Sequence, residues 1–170
     1  MIAPRLVVAI GNASRGDDAL GPTLAAALQA AGAFERGDAE LLEVHQLQVE
    51  DSLALLQRRA VLFIDACREP VPGGAALERL APAYGPTVFT HALAPAQLLA
   101  EAQRVWGVEL PPSWLLAVQG HDFTLGAPLS AAASVHAERA FALAQAWLGE
   151  PVEPGTSGTA TPCLHGLADS

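Results

Sequence analysis

The sequence predicts an α/β protein: a three-layer α/β/α sandwich around a mostly parallel, twisted sheet of about five strands. Short apolar runs alternate along the chain with segments of helical periodicity, which is the pattern of a parallel sheet with helices on both faces. These apolar runs are continuous rather than alternating, as in strands buried on both sides. The 170 residues suit one domain with a sizeable core.

The first half of the chain contains three predicted strands and two predicted helices. An apolar run at 6–10 ends at Gly11 and is the first strand. A helix follows it, because Leu20, Leu24 and Leu28 repeat at helical spacing. The remaining predicted elements of this half are a strand at 40–44, a helix at 50–59 and a strand at 60–65.

The second half begins with an extended piece at 75–82 and a helix at 95–105. A buried strand is predicted at 114–118, and a long helix at 130–148 has Ser130 as a favourable N-cap. Beyond this helix, Pro, Gly, Ser and Thr dominate and the periodicity disappears. We therefore predict a single domain at 1–149 and a flexible tail at 150–170.

The composition excludes several classes of function. All nine basic residues are arginines, so Schiff-base chemistry and a P-loop lysine are ruled out. A net charge of −9 argues against nucleic-acid partners and anionic membrane surfaces. No apolar stretch approaches the roughly 18 residues of a membrane span, and the N-terminus lacks the features of a secretory signal. We expect a cytoplasmic protein with no membrane partner.

Polar residues at the strand ends are the candidates for a functional site, because ligands of open α/β sheets bind beyond the carboxyl ends of the strands. Two consecutive carboxylates in the first of these loops would repel a phosphate, which excludes a phosphate-binding loop. Carboxylates combined with an imidazole suit a borderline divalent metal such as Zn²⁺ or Ni²⁺. The candidates are Asp17, Asp18, His45, Asp65 and His91.

Each candidate also has a simpler explanation when it is taken alone. One aspartate could cap the helix that follows, although two consecutive ones point about 100° apart and cannot both do so. Asp65 could be satisfied by backbone N–H groups, and His91 could be an ordinary turn histidine. His121 and Asp122, after the strand at 114–118, could line the same cleft without binding anything.

Three motifs, taken in order, resemble those of the [NiFe]-hydrogenase maturation endopeptidases. V-A-I-G-N-A-S-R-G-D-D-A-L-G-P at 8–22 is similar to the family pattern G-N-x-x-x-x-D-D/E-x-x-G. F-I-D-A at 63–66 resembles the second acidic motif, and H-A-L-A-P-A-Q-L-L at 91–99 resembles H-x-L-x-x-x-x-L-L. The similarity in motif order and spacing spans about residues 6–148.

The resemblance implies a protease that removes the C-terminal extension of a hydrogenase large-subunit precursor after nickel insertion. Asp18, Asp65 and His91 would be its catalytic, metal-contacting residues. The implied metal is nickel supplied by the precursor, which zinc or cadmium could replace in vitro. The precursor is the implied partner, and we expect a monomer.

One departure from the family pattern concerns the second strand end. Many members have an Asp-Gly-Gly turn there, whereas this chain has Val44-His45-Gln46-Leu47. This resembles the branch that processes soluble, NAD-coupled hydrogenases. His45 is therefore a candidate fourth ligand or substrate contact, with a solvent-facing loop histidine as the alternative.

Two other functions stay open at the level of sequence. One is a non-catalytic metal-binding assembly factor that uses the same three ligands. The other is a small-molecule hydrolase on a related α/β scaffold. Within the protease hypothesis, the metal could polarise the scissile carbonyl group, or it could only be docked while a carboxylate activates water.

Overall fold

A computed structural model describes residues 1–85 and 92–152. Its five-stranded sheet has the order β2-β1-β3-β5-β4. Every neighbouring pair is parallel except β4 with β5, which is antiparallel. The strands are β1 (Arg5–Ile10), β2 (Ala39–Val44), β3 (Ala60–Cys67), β4 (Ala75–Leu80) and β5 (Ser113–Gln119). The predicted mostly parallel sheet is confirmed.

The helices are α1 (Leu20–Ala30), α2 (Pro95–Trp106) and α3 (Ala131–Gly149). The predicted N-cap of the last helix is confirmed, because the Ser130 side chain accepts a hydrogen bond from the backbone N–H of Ala133. Short 3-10 helices cover Gly16–Ala19, Val49–Leu55 and Pro72–Gly74.

The predicted helix at 50–59 is wrong in type and length. The segment is the 3-10 helix Val49–Leu55, after which Leu56 adopts an extended conformation. Gln57 then has a positive φ of 66°, outside the helical region, and the chain turns into β3. The short connection to the next strand leaves no room for a longer helix.

Two apolar clusters cover the two faces of the sheet and complete the three layers. On one face, Leu62 and Ile64 of β3 pack in a cluster with apolar residues of α1 and α3. On the other face, Val61 and Phe63 pack in a cluster with residues of α2 and of the second 3-10 helix. Because consecutive side chains of β3 serve both clusters, the strand is apolar at every position from Ala60 to Ile64.

At the amino ends of the parallel strands, Arg5 connects β1 to the end of the last helix. Arg5 is buried, and its guanidinium donates hydrogen bonds to the carbonyl oxygens of Leu148 and Glu150. The predicted tail begins at this point, and its residues 153–170 lie outside the described residues. Within 1–85 and 92–152, no helix is long and apolar enough to cross a membrane.

The carboxyl ends of the four mutually parallel strands lie at one edge of the sheet. Since β1 lies between β2 and β3, the loop after β1 is flanked by the ends of both neighbours. This is the edge at which the sequence places most of its candidate site residues.

Candidate functional site

Asp18 lies in the loop that connects β1 to α1. Gly11 begins this loop with a φ of 145°, and a Cβ atom there would lie 2.0 Å from the carbonyl oxygen of Asp18. Glycine therefore lets the loop fold back on itself. Oδ2 of the half-buried Asp18 accepts a hydrogen bond from the backbone N–H of Asn12 at 2.8 Å. No hydrogen bond from the described residues reaches Oδ1.

Asp65 lies on β3, which extends two residues beyond the predicted end because Ala66 and Cys67 continue the pairing with β5. Burial of the carboxyl group, and next the negative charge of Asp18, raise the pKa of Asp65 to about 7. A hydrogen bond from the backbone of Ala66 opposes this shift only partly. The structure therefore brings Asp18 and Asp65 close enough for their carboxylates to repel each other.

His91 lies outside the described residues, so its predicted role stays a prediction. Two positions further along the chain, Leu93 forms an antiparallel bridge with Leu47 in the loop after β2. Among residues 1–85 and 92–152, no group of three His, Cys, Asp or Glu side chains could hold a metal ion. A complete ligand set would therefore need groups beyond the Asp18–Asp65 pair.

A polar cleft of about 480 Å³ opens beside Asp18, between the loops that follow β1 and β2. The exposed His45 lines this cleft together with Asp18, a position that fits both a substrate contact and a solvent-facing loop histidine. Arg15 and Asp51 also line it and were not singled out from the sequence. Arg15 lies inside the first motif and could have been found there, whereas nothing in the local sequence marks Asp51.

Asp17 has a different environment from its neighbour. Its side chain is 0% exposed and accepts hydrogen bonds from the backbone N–H groups of His121, Asp122 and Ser130. The Ser130 hydroxyl donates a fourth. Burial alone would raise the pKa of Asp17, but these hydrogen bonds outweigh it and lower the pKa to about 2. They favour a structural role for Asp17 over its predicted role as an additional metal ligand.

The helix-capping explanation fails for both aspartates of the first loop. Helix α1 begins after Ala19 without a side-chain cap, and the preceding 3-10 helix has none either. Asp18 turns back to Asn12, and Asp17 reaches across to the loop that follows β5. Two adjacent carboxylates therefore point to different partners, as expected from the rotation of about 120° between successive residues of a 3-10 helix.

Comparisons with solved structures relate the chain to proteases of hydrogenase maturation. The hydrogenase maturating endopeptidase HybD from E. coli is 23% identical with a TM-score of 0.62, over 85% of this chain and 91% of that one. The [NiFe] hydrogenase maturation protease HycI from Thermococcus kodakarensis is 23% identical with a TM-score of 0.64, over 87% and 94%.

A third solved structure is the hydrogenase 2 maturation peptidase from a Thaumarchaeota archaeon, which is 21% identical with a TM-score of 0.62, over 85% and 97% of the two chains. Comparisons with protein-family models and with curated protein sequences give no match. The structural similarities cover almost the whole of each neighbour. This chain therefore has the fold of the hydrogenase maturation endopeptidases.

Proposed function

We propose that this chain is an endopeptidase that removes the C-terminal extension of a nickel-loaded [NiFe]-hydrogenase large-subunit precursor. The observation that carries the proposal is the Asp18–Asp65 pair at the carboxyl ends of adjacent strands, with the pKa of Asp65 at about 7. The shared fold and the order of the three motifs support the same function.

Recognition of nickel follows from the electrostatics of this pair. Two carboxylates that repel each other bind a divalent cation favourably, because the cation offsets the negative charge of Asp18, which after burial is the second cause of the raised pKa of Asp65. His91 would add an imidazole ligand, which together with carboxylate oxygens suits Ni²⁺. The nickel belongs to the precursor, so a precursor without nickel lacks this attraction. Cleavage would then report that the metal has been inserted.

Peptide hydrolysis further requires an activated water molecule. A general base acts best when its pKa lies near the working pH, and burial, the larger cause of the raised pKa of Asp65, does not depend on the charge of Asp18 that the cation offsets. We infer that one carboxylate of the pair contacts the nickel while the other accepts a proton from water. The nickel in turn supplies positive charge near the scissile carbonyl oxygen.

The cleft beside Asp18 is the proposed binding place for the precursor's C-terminal segment. Its volume of about 480 Å³ suffices for several side chains, and its lining is largely polar and charged. Arg15 and His45 lie on this lining and can donate hydrogen bonds to peptide carbonyl groups. The Asp18 carboxylate lines the same cleft and would then lie next to the bound segment.

The test is to incubate the purified protein with nickel-loaded precursor and to follow the intact mass of the large subunit. We expect the precursor to lose its C-terminal extension, and Asp18→Ala to abolish this loss. Asp38→Ala is the matched control, since it removes an exposed aspartate from the loop before β2 and should process normally.

The other two candidate functions give different results in the same experiment. An assembly factor would bind nickel and leave the precursor unshortened. A small-molecule hydrolase would hydrolyse ester substrates with no precursor present. Either result would overturn the protease proposal. The NAD-coupled branch, a monomeric state and a cytoplasmic location stay predictions.

A further inference from the structure

We propose that Asp17 is a positioning residue that holds the Asp18 loop in place for the proposed reaction. Two segments matter for this proposal: the first loop, residues 11–19 after β1, and the last loop, residues 120–130 between β5 and α3. The inference rests on the proposed function insofar as Asp18 is taken as a site residue.

Among the described residues, all hydrogen bonds to the Asp17 carboxylate come from the last loop. Oδ2 accepts hydrogen bonds from the backbone N–H of His121 at 2.6 Å and of Asp122 at 3.0 Å. Ser130 contributes two more, with its backbone N–H donating to Oδ1 and its hydroxyl donating to Oδ2, both at 2.7 Å. A fully buried carboxylate with four donors is fixed in orientation, because each donor constrains a different direction.

The backbones of the two loops are also bonded to each other. The N–H of Asp17 donates to the carbonyl oxygen of Asp122 at 2.7 Å, and the N–H of Gly16 donates to that of Ala127 at 3.1 Å. In the opposite direction, the N–H of Gly126 donates to the carbonyl oxygen of Ser14 at 2.7 Å. A Cβ atom on Gly16 would lie 2.2 Å from the carbonyl oxygen of Asp122, so the loops approach too closely for a side chain.

Ser130 connects this junction to the rigid part of the fold. Its hydroxyl donates to Asp17 and also accepts from the N–H of Ala133, at 3.1 Å, as the N-cap of α3. Helix α3 is anchored in the core by buried residues that include Ala140 and Trp147. The position of Asp17 is thereby tied to a packed helix, and Asp18 is the next residue in the chain. Side chains that only orient a ligand are typically worth about 10- to 100-fold in metal affinity or activity.

The alternative is that these hydrogen bonds between the two loops contribute stability and nothing else. The two roles differ in what happens to Asp18 when Asp17 is changed in a protein that is still folded. The bond from the Asn12 N–H to Asp18 reports the position of the Asp18 carboxylate without any metal or substrate. Amide exchange at Asn12, measured by NMR, is therefore the first readout.

The experiment compares Asp17→Asn with Leu28→Ala, a core change at a fully buried position near the C-terminal end of α1, nine residues after the first loop ends. Both are studied at a temperature where each is fully folded. For Asp17→Asn we expect Asn12 to exchange about tenfold faster, which is the effect of losing one hydrogen bond. We expect Zn²⁺ affinity and kcat/KM on precursor to fall about 10- to 100-fold. Leu28→Ala should match wild type in all of these despite its lower melting temperature.

A second variant keeps the proposal testable if Asp17→Asn does not fold. Ser130→Ala retains Asp17 and removes one of its four hydrogen bonds, so we expect a smaller effect of the same kind on Asn12 exchange and Zn²⁺ affinity. It also removes the N-cap of α3, so a loss of stability is expected in either case. If either Asp17→Asn or Ser130→Ala loses stability while Asn12 exchange and Zn²⁺ affinity stay as in Leu28→Ala, Asp17 is structural only. If wild type fails to shorten any precursor, the proposed function fails, whereas the Asn12 exchange rates still decide the role of Asp17.

Discussion

Replacing Asp65 with asparagine removes a charge that the folded protein carries at a cost in free energy. Burial of the carboxyl group and the charge of Asp18 raise the pKa of Asp65 from 3.8 to about 7. The folded state thus binds this proton more tightly than the unfolded chain does. The resulting stabilisation is fully present below pH 3.8 and is lost as the pH rises through 7.

The size of the effect follows from the two pKa values. The pKa of Asp65 in the folded state, about 7, lies about three pH units above 3.8. At about 1.4 kcal/mol per unit, this corresponds to about 4 kcal/mol. Local relaxation around the ionised group reduces the cost, so we expect about 2 to 4 kcal/mol. Asparagine has nearly the same shape and does not ionise. The free energy of unfolding of Asp65→Asn minus that of wild type should therefore be larger at pH 8.5 than at pH 4 by this amount.

Urea unfolding followed by circular dichroism, at pH values between 4 and 8.5, measures this difference. Asp38→Asn is the matched control, because it makes the same chemical change at an exposed position and should follow wild type at every pH. A free-energy difference between Asp65→Asn and wild type that is the same at pH 4 and pH 8.5 would refute the reasoning. The carboxyl group of Asp65 would then titrate alike in the folded and unfolded states.

Three further predictions concern the same edge of the sheet. Asp18→Asn should lower the pH midpoint of Asp65 measured by NMR, because it removes a neighbouring negative charge; an unchanged midpoint would show that the two groups do not interact. At pH 8, Zn²⁺ should raise the Tm of wild type more than that of Asp65→Asn, and equal shifts would place the ion elsewhere. Gly11→Ala should destabilise the protein by about 2 kcal/mol or more in urea unfolding, because its Cβ would collide with the Asp18 carbonyl oxygen at 2.0 Å. Gly149→Ala is its control and should lose far less, because apart from its chain neighbours and its own helix no described atom lies within 4 Å of the new Cβ.

The parallel strands could be predicted from the sequence because their physical requirement is local. A strand covered on both faces must be apolar at consecutive positions, and β1 and the first part of β3 satisfy this. The same logic placed Asp18 and Asp65 at one edge, since parallel strands end together. Local rules therefore suffice for the parallel strands and for placing the two carboxylates at one edge of the sheet.

Other features depend on contacts between residues distant in sequence. The antiparallel direction of β4 is set by its pairing with β5, and nothing in the sequence of the extended piece at 75–82 indicates this direction. The segment after Gln48 begins like a helix, yet the positive φ of Gln57 and the return to β3 shorten it to a 3-10 helix. Neither feature can be derived from periodicity.

The different roles of the two adjacent aspartates also depend on contacts between residues distant in sequence. Asp17 and Asp18 are indistinguishable in the sequence, and the hydrogen-bond partners of Asp17 lie more than 100 positions further along the chain. Asp51 likewise lines the cleft only because the loops after β1 and β2 lie side by side. Such pairings become visible only in the folded protein.

The most direct test of the proposed function compares two samples of one hydrogenase large-subunit precursor, with and without nickel, each incubated with the purified protein. Intact mass spectrometry then records the length of the large subunit. We expect shortening by one C-terminal segment in the nickel-loaded sample only, because the Asp18–Asp65 pair requires a cation to offset its mutual repulsion. Equal shortening in both samples would contradict nickel recognition by this pair, and no shortening in either would contradict the protease function itself.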